Sequence, residues 1–197
     1  MIGGSAGALD ALGQLLPALP AGFPIPIALV LHVHPSKPSH LTKVLASRCA
    51  LPVKEAEDKE PIASSTVYVA PPNYHLLLER QRCFSLSVDD PVLFSRPAID
   101  VLFESAADAI GPGLVGVLLS GGSEDGARGI AQIHDNGGLT VVQAPSTASV
   151  PIMPNAALRL CAVAQVLPPA EIGLFLARLA GRRTSRVMPP AGAGEGT

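Results

Sequence analysis

Ser5 stands alone between glycines in "GGSAGALDAL", residues 3–12, with a helix-like run directly behind it. His32 and His34 close the apolar stretch "PIALVLHVH", residues 26–34, and Glu124 and Asp125 stand side by side in "SGGSEDGARG", residues 120–129. A serine hydroxyl is a weak nucleophile until a base takes its proton, and that base is usually a histidine oriented by a carboxylate. These three residue types together point to acyl transfer. Small residues in the same two segments let backbone N–H groups approach a developing oxyanion, so Ala6, Gly121, Gly122 and Ser123 are candidates to line that part of the site. Each residue also has a plainer reading. Ser5 reads as a helix N-cap or phosphate-loop residue, either histidine as packed or solvated, and Ser123 as the cap of a helix whose first turn favours acids.

Position narrows the choices. His32 ends the apolar run, whereas His34 abuts Pro35 in the loop beyond it, which favours His32 as the base. Asp125 has fewer rotamers to lose than Glu124 and precedes Gly126, which favours Asp125 as the orienting carboxylate. On that reading Asp125→Asn leaves the shape intact and removes the counter-charge of the imidazolium.

The elements that must hold these residues follow from hydrophobic patterning. "IPIALVLHV", "STVYVAP", "LVGVLLS" and "LTVVQAP" read as buried strands, and "AVAQVLP" as a shorter one. Helical spacing marks residues 39–49, 98–110, the segment after Ser123 that closes on Gly137-Gly138, "MPNAALRL" and "PAEIGLFLARLAG". "HLLLERQRCFSLSV", residues 75–88, reads as a hairpin turning at Glu79 to Arg82. The alternation predicts an α/β fold: a doubly wound, mainly parallel sheet with flanking helices and one β-hairpin insertion. Ligands in such sheets bind beyond the carboxyl ends of the strands, where Ser5, His32, Asn73 to His75, Ser120 to Asp125 and Gln143 to Thr147 all fall. The domain is expected over residues 1–180, with 181–197 a disordered tail rich in Gly, Pro and Ala. Only four residues precede Ser5, fewer than a central strand of about five or six, which suggests a chain that begins inside its first strand.

Composition removes other classes. Apolar residues make up 48% of 197, enough for one folded core. A net charge of -2 and 4% aromatics without Trp lack the footprint of a nucleic-acid binder. Cys49, Cys83 and Cys161 form no CxxC pair and read as reduced thiols of a cytoplasmic protein. No run is long enough to insert into a membrane. A nucleotide cradle at "GGSAGA" lacks the Lys-[Ser/Thr] of a P-loop.

The ordered set of motifs resembles one family, the catalytic domain of the chemotaxis protein-glutamate methylesterases (CheB). "IGGSAGALDAL", "LVLHVHPS", "LPVKEAEDKEPI", "VYVAPPNYHLLL", "RPAIDVLFESAA", "GVLLSGGSEDGARG" and "IMPNAA" follow its order and spacing from about Ile2 to Pro168. The resemblance implies a Ser5, His32, Asp125 triad that hydrolyses glutamate methyl esters on the cytoplasmic helices of chemoreceptors, with deamidation of glutamine a further activity of some members. It implies no metal and no organic cofactor, and a receiver domain elsewhere in the full protein or in trans. Four positions depart from the family's pattern: Leu31 where Gln is common, Ala8 for the second Gly, Gly122 for Met, and Ser123 for the last Gly of Gly-x-Gly. Leu31, Gly122 and the short first strand motivate the alternative of a catalytically weak or inactive member that serves as a receptor or signalling-protein binding module.

Overall fold

The computed structural model describes residues 1–32 and 40–184; His34 and Ser39 lie outside the described residues, as do 185–197. In chain order the elements are β1 (Ile2–Gly4), α1 (Ala8–Leu15), β2 (Ile27–Leu31), α2 (Leu41–Ala46), β3 (Val53–Glu55) and β4 (Val67–Val69). There follow β5 (His75–Leu78), β6 (Phe84–Ser87), α3 (Ile99–Ile110), β7 (Val115–Leu118) and α4 (Ala127–Asp135). The chain continues through β8 (Leu139–Gln143), α5 (Ile152–Leu160), β9 (Gln165–Leu167) and α6 (Pro169–Thr184).

Seven strands form one sheet in the order β3-β4-β2-β1-β7-β8-β9, and every pairing in it is parallel. Parallel strands need both faces covered, and β2 carries the residues for it. Ile27, Leu29 and Leu31 join one core with Leu12 and Leu15 of α1 and Ile172 of α6. Ala28 and Val30 join the opposite core with Ile99 and Phe103 of α3 and Ile130 of α4. This is the period of two along a strand. The expected hairpin is β5–β6, with its turn at Glu79–Arg82; Phe84 of β6 meets the Tyr68 ring edge-on at 4.9 Å. No helix among the described residues is long and apolar enough to cross a membrane.

Three boundaries differ from expectation. β3 falls in "LPVKEAEDKEPI", where no strand is expected: Val53–Glu55 is an edge strand with little buried surface, ordered by its pairing with β4. The helix expected over 39–49 is shorter, Leu41–Ala46. The last helix does not stop at Gly181 but continues to Thr184, into the segment expected to be a tail, because Arg182 and Arg183 are good helix formers.

The strand order reverses between β1 and β7. β2, β4 and β3 extend to one side of β1, and β7, β8 and β9 to the other. The crevice beyond the carboxyl ends of β1 and β7 is therefore the topological switch point, the usual ligand site of an open α/β sheet. Ser5 follows β1, the Ser120–Asp125 loop follows β7, and His32 follows β2 on the neighbouring position.

Candidate active site

The turn after β1 places Ser5. Its N–H donates to the Ser120 carbonyl (2.9 Å), and its own carbonyl accepts from Ala8 N–H (3.0 Å). Gly7, at φ 80°, is the N-cap residue of α1, a left-handed conformation that favours glycine. Ser5 is thus not the helix cap, and its Oγ makes no hydrogen bond among the described residues.

His32 is set against Ser5 by strand register. Gly4 pairs with Leu31, and the His32 N–H donates to the Gly4 carbonyl (3.3 Å). Ser5 and His32 are each the first residue past adjacent parallel strands. Leu31 belongs to the α1 core, so the alternation along β2 sends His32 to the opposite face, toward α3. There its Nε2 donates to Asp125 Oδ2 at 2.7 Å. With the carboxylate on Nε2, Nδ1 is the ring nitrogen left for a serine proton.

Asp125 is fully buried. Its Oδ2 also accepts from Ile99 N–H (2.7 Å) and its Oδ1 from Asp100 N–H (2.9 Å). These are first-turn donors of α3 that have no partner within the helix. The sequence reading has Asp125→Asn leaving the shape intact; here Asp125 also caps a helix, so a change at it reaches the fold. The expectation that Ser123 caps the following helix does not hold either. The N-cap residue of α4 is Gly126, and Ser123 Oγ accepts only a long bond, 3.4 Å, from Asp125 N–H. The α4 cap is Asp100, whose Oδ1 accepts from Gly126 and Gly129 N–H, both at 2.8 Å. Each acid thus caps the helix beside the other. Arg128 Nε donates to Asp100 Oδ2 (3.0 Å). Burial, more than any neighbour, pushes the Asp100 carboxyl above its ordinary pKa, with the nearby Asp125 charge adding to the rise. Glu124 is exposed and pairs with Arg159 (2.9 Å), away from His32.

The candidate oxyanion residues divide. Gly121 N–H donates to the Val150 carbonyl (3.0 Å), so it is spent and not available as a donor. The backbone N–H groups of Ala6 and Gly122 make no bond among the described residues, and both residues are exposed. Gly121 has another task. A Cβ there would lie 2.5 Å from Met153 Cε and 3.1 Å from Ser5 Cβ, so a side chain at this position would press on Met153 and on the serine.

Ser120 is a positioning residue that sequence reasoning places in the loop without a role. It is fully buried. Its Oγ donates to the Ala6 carbonyl (2.8 Å) and accepts from Val150 N–H (2.9 Å), while its N–H donates to Gln143 Oε1 (2.9 Å). It ties the Ser5 turn to two other loops. Asp100 was likewise visible only as part of "RPAIDVLFESAA". His75, another strand-end candidate, is a packed residue: Nδ1 accepts from Ala98 N–H (3.2 Å) and Nε2 donates to the Asp90 carbonyl (3.1 Å). Among the described residues no three His, Cys, Asp or Glu side chains converge as metal ligands would. An imidazole held by a buried carboxylate, at the end of the strand next to the one that a serine follows, supplies the residue types that activate an oxygen nucleophile.

Comparison with known proteins bears on the family and the fold. Residues 1–176 match the family model for CheB methylesterase. A Leptospira interrogans protein named putative protein-glutamate methylesterase/protein-glutamine glutaminase is 46% identical over 179 residues, covering 91% of this chain and 93% of its own. A Methanospirillum hungatei protein-glutamate methylesterase/protein-glutamine glutaminase is 38% identical over 183 residues, 93% of this chain but 52% of its own. The crystal structure of the Thermotoga maritima CheB methylesterase catalytic domain superposes with a TM-score of 0.87 at 34% identity, covering 90% of this chain and 96% of that one.

Proposed function

This chain belongs to the CheB methylesterase family, and on that premise we propose that it hydrolyses glutamate methyl esters on chemoreceptor helices through Ser5, His32 and Asp125. His32 Nδ1 takes the proton as Ser5 Oγ attacks the ester carbonyl carbon. The N–H groups of Ala6 and Gly122 donate to the oxyanion. Asp125 stabilises the imidazolium, which then protonates the departing methoxide, so methanol leaves and an acyl group stays on Ser5. Water, deprotonated by His32, attacks that acyl carbon, releases the glutamate carboxylate and restores Ser5. A glutamine side chain would enter the same cycle with ammonia as leaving group, the second activity in the names of the Leptospira and Methanospirillum relatives.

The observation that carries this reading is the 2.7 Å His32–Asp125 bond, made on Nε2 and placed one strand from Ser5. Ser5→Ala tests it. The Ser5 hydroxyl caps nothing, so the melting temperature should stay near that of the unaltered protein, while methanol release from methylated receptor should fall by several orders of magnitude. Near-normal release by the purified variant would refute the assignment. An unaltered protein that binds receptor and releases no methanol would instead favour the binding-module reading.

A further inference from the structure

We propose that the Leu93–Phe94 turn is an anchor by which this protein grips the helix that carries its substrate glutamate, an inference that rests on the proposed function above. Val92 and Ser95 exchange backbone bonds of 3.1 and 2.9 Å, which makes the segment a two-residue hairpin turn. Both central residues are left-handed, Leu93 at φ 47° and Phe94 at φ 63°. Turns of this kind select Asn-Gly, because larger L-residues are strained there. Leu and Phe are thus poor choices for the backbone. They are no better explained by packing, since Phe94 is 102% exposed and Leu93 49%. A strained backbone that holds an aromatic ring out in water has its compensation outside this chain.

The turn is presented rigidly. Arg96, just past it, donates to the Val88 and Asp89 carbonyls (2.6 and 2.9 Å) and to Asn73 Oδ1 (2.9 Å). Rigid presentation of an apolar tip lowers the ordering cost of binding.

Its position selects the partner. Behind the tip lies a cleft of about 540 Å³ whose lining includes Val92, Leu93, Glu124, Arg128, Arg159 and Leu160. Glu124 and Asp100 line the cleft, Glu124 next in sequence to Asp125 and Asp100 bonded through its N–H to the Asp125 carboxylate, so the cleft lies beside the orienting acid of the candidate active site. The far wall, on α5, exposes Leu160, so Leu93 and Leu160 give the cleft two apolar edges for an amphipathic helix to meet. The charges suit the same occupant. Arg128 and Arg159 are 63% and 62% exposed; Arg128 pairs through Nε with Asp100 and, at 3.8 Å, through Nη2 with Glu104, and Arg159 pairs through Nη2 with Glu124. A guanidinium carries five N–H donors; those remaining can meet the carboxylates of a glutamate-bearing helix.

Leu93→Asn/Phe94→Gly tests the proposal, because it removes the apolar tip with residues the turn prefers. Three quantities are compared with the unaltered protein: Kd for a purified, methylated chemoreceptor cytoplasmic fragment, kcat/KM for p-nitrophenyl acetate, and melting temperature. Kd should rise tenfold or more, small-ester kcat/KM should stay within twofold, and melting temperature should hold or rise. An unchanged Kd, including no binding by either protein, overturns the anchor. So does a variant that differs only in self-association by sedimentation, which would assign the tip to a second copy of this chain. The two readings fail separately: an unaltered protein that releases no methanol, yet loses receptor affinity on this substitution, sinks the activity and keeps the anchor.

Discussion

Asp125→Asn removes one charge and converts one of two acceptor atoms into a donor. Three donors face that carboxylate: Ile99 N–H and His32 Nε2 on Oδ2, and Asp100 N–H on Oδ1. An amide has one oxygen, so either orientation leaves one backbone N–H of α3 facing an NH2 group. A buried donor left unpaired costs about 1–3 kcal/mol. For a domain of this size each kcal/mol lowers the melting temperature by about 2–4 °C, so a fall of roughly 2–12 °C is expected. The catalytic effect depends on the orientation. With nitrogen at the Oδ2 position, the amide donates to His32 Nε2, forces the proton onto Nδ1 and blocks uptake of the serine proton; the same change in a serine protease triad costs about 10⁴-fold. With nitrogen at the Oδ1 position the tautomer survives and only the counter-charge is lost, which places the defect nearer the low end of the 10²–10⁴-fold range of general-base catalysis. Urea unfolding and methanol release on the same preparation separate the two effects. Native turnover in Asp125→Asn would refute the reasoning, as would a larger defect in Glu124→Gln, whose exposed partner is Arg159.

Two further substitutions probe the supports of the site. Asp100→Asn keeps an oxygen for the Gly126 and Gly129 N–H groups but no longer titrates. Burial raises the Asp100 pKa above its ordinary 3.8, so its contribution to stability is full below that value and is lost as pH rises through the folded-state pKa. Relative to the unaltered protein the Asn variant should therefore be more stable at pH 7 than at pH 4 by urea unfolding; the opposite trend would mean that the Arg128 pairing outweighs burial. Gly121→Ala drives a methyl to within 2.5 Å of Met153 and 3.1 Å of Ser5. Overpacking of this kind costs about 1–3 kcal/mol, and displacement of Ser5 should lower methanol release about 10²-fold; full activity would show that the serine is not held by this contact.

The strands that matter most were legible because they are buried on both faces. "IALVL" has no polar residue to place in water, and the switch-point rule then puts Ser5, His32 and Asp125 at one end of the sheet. β3 was not legible. Its residues are partly exposed and carry no alternation, and only the neighbouring strand makes "VKE" extended. The end of α6 was missed because Gly181 reads as a stop, whereas the helix runs through it to Thr184. Gly121 was misassigned because sequence shows that a backbone N–H can approach an oxyanion, not that Val150 has already taken it.

The second task of Asp125 lies deeper, since its partners are 25 and 26 residues away, at the start of another helix. Asp100 answers from that helix by capping α4, the helix Asp125 precedes. The pairing has a physical consequence. α3 and α4 pack so closely that a Cβ on Gly129 would stand 2.4 Å from Phe103 Cβ, and the reciprocal caps sit at the end of that contact. Whatever separates the two helices also pulls the first-turn N–H groups from Asp125, and the carboxylate then turns from His32. Under the proposed mechanism, helix packing and the orientation of the base are one degree of freedom. A defect in α3–α4 packing far from Ser5 would lower turnover before it unfolded the domain.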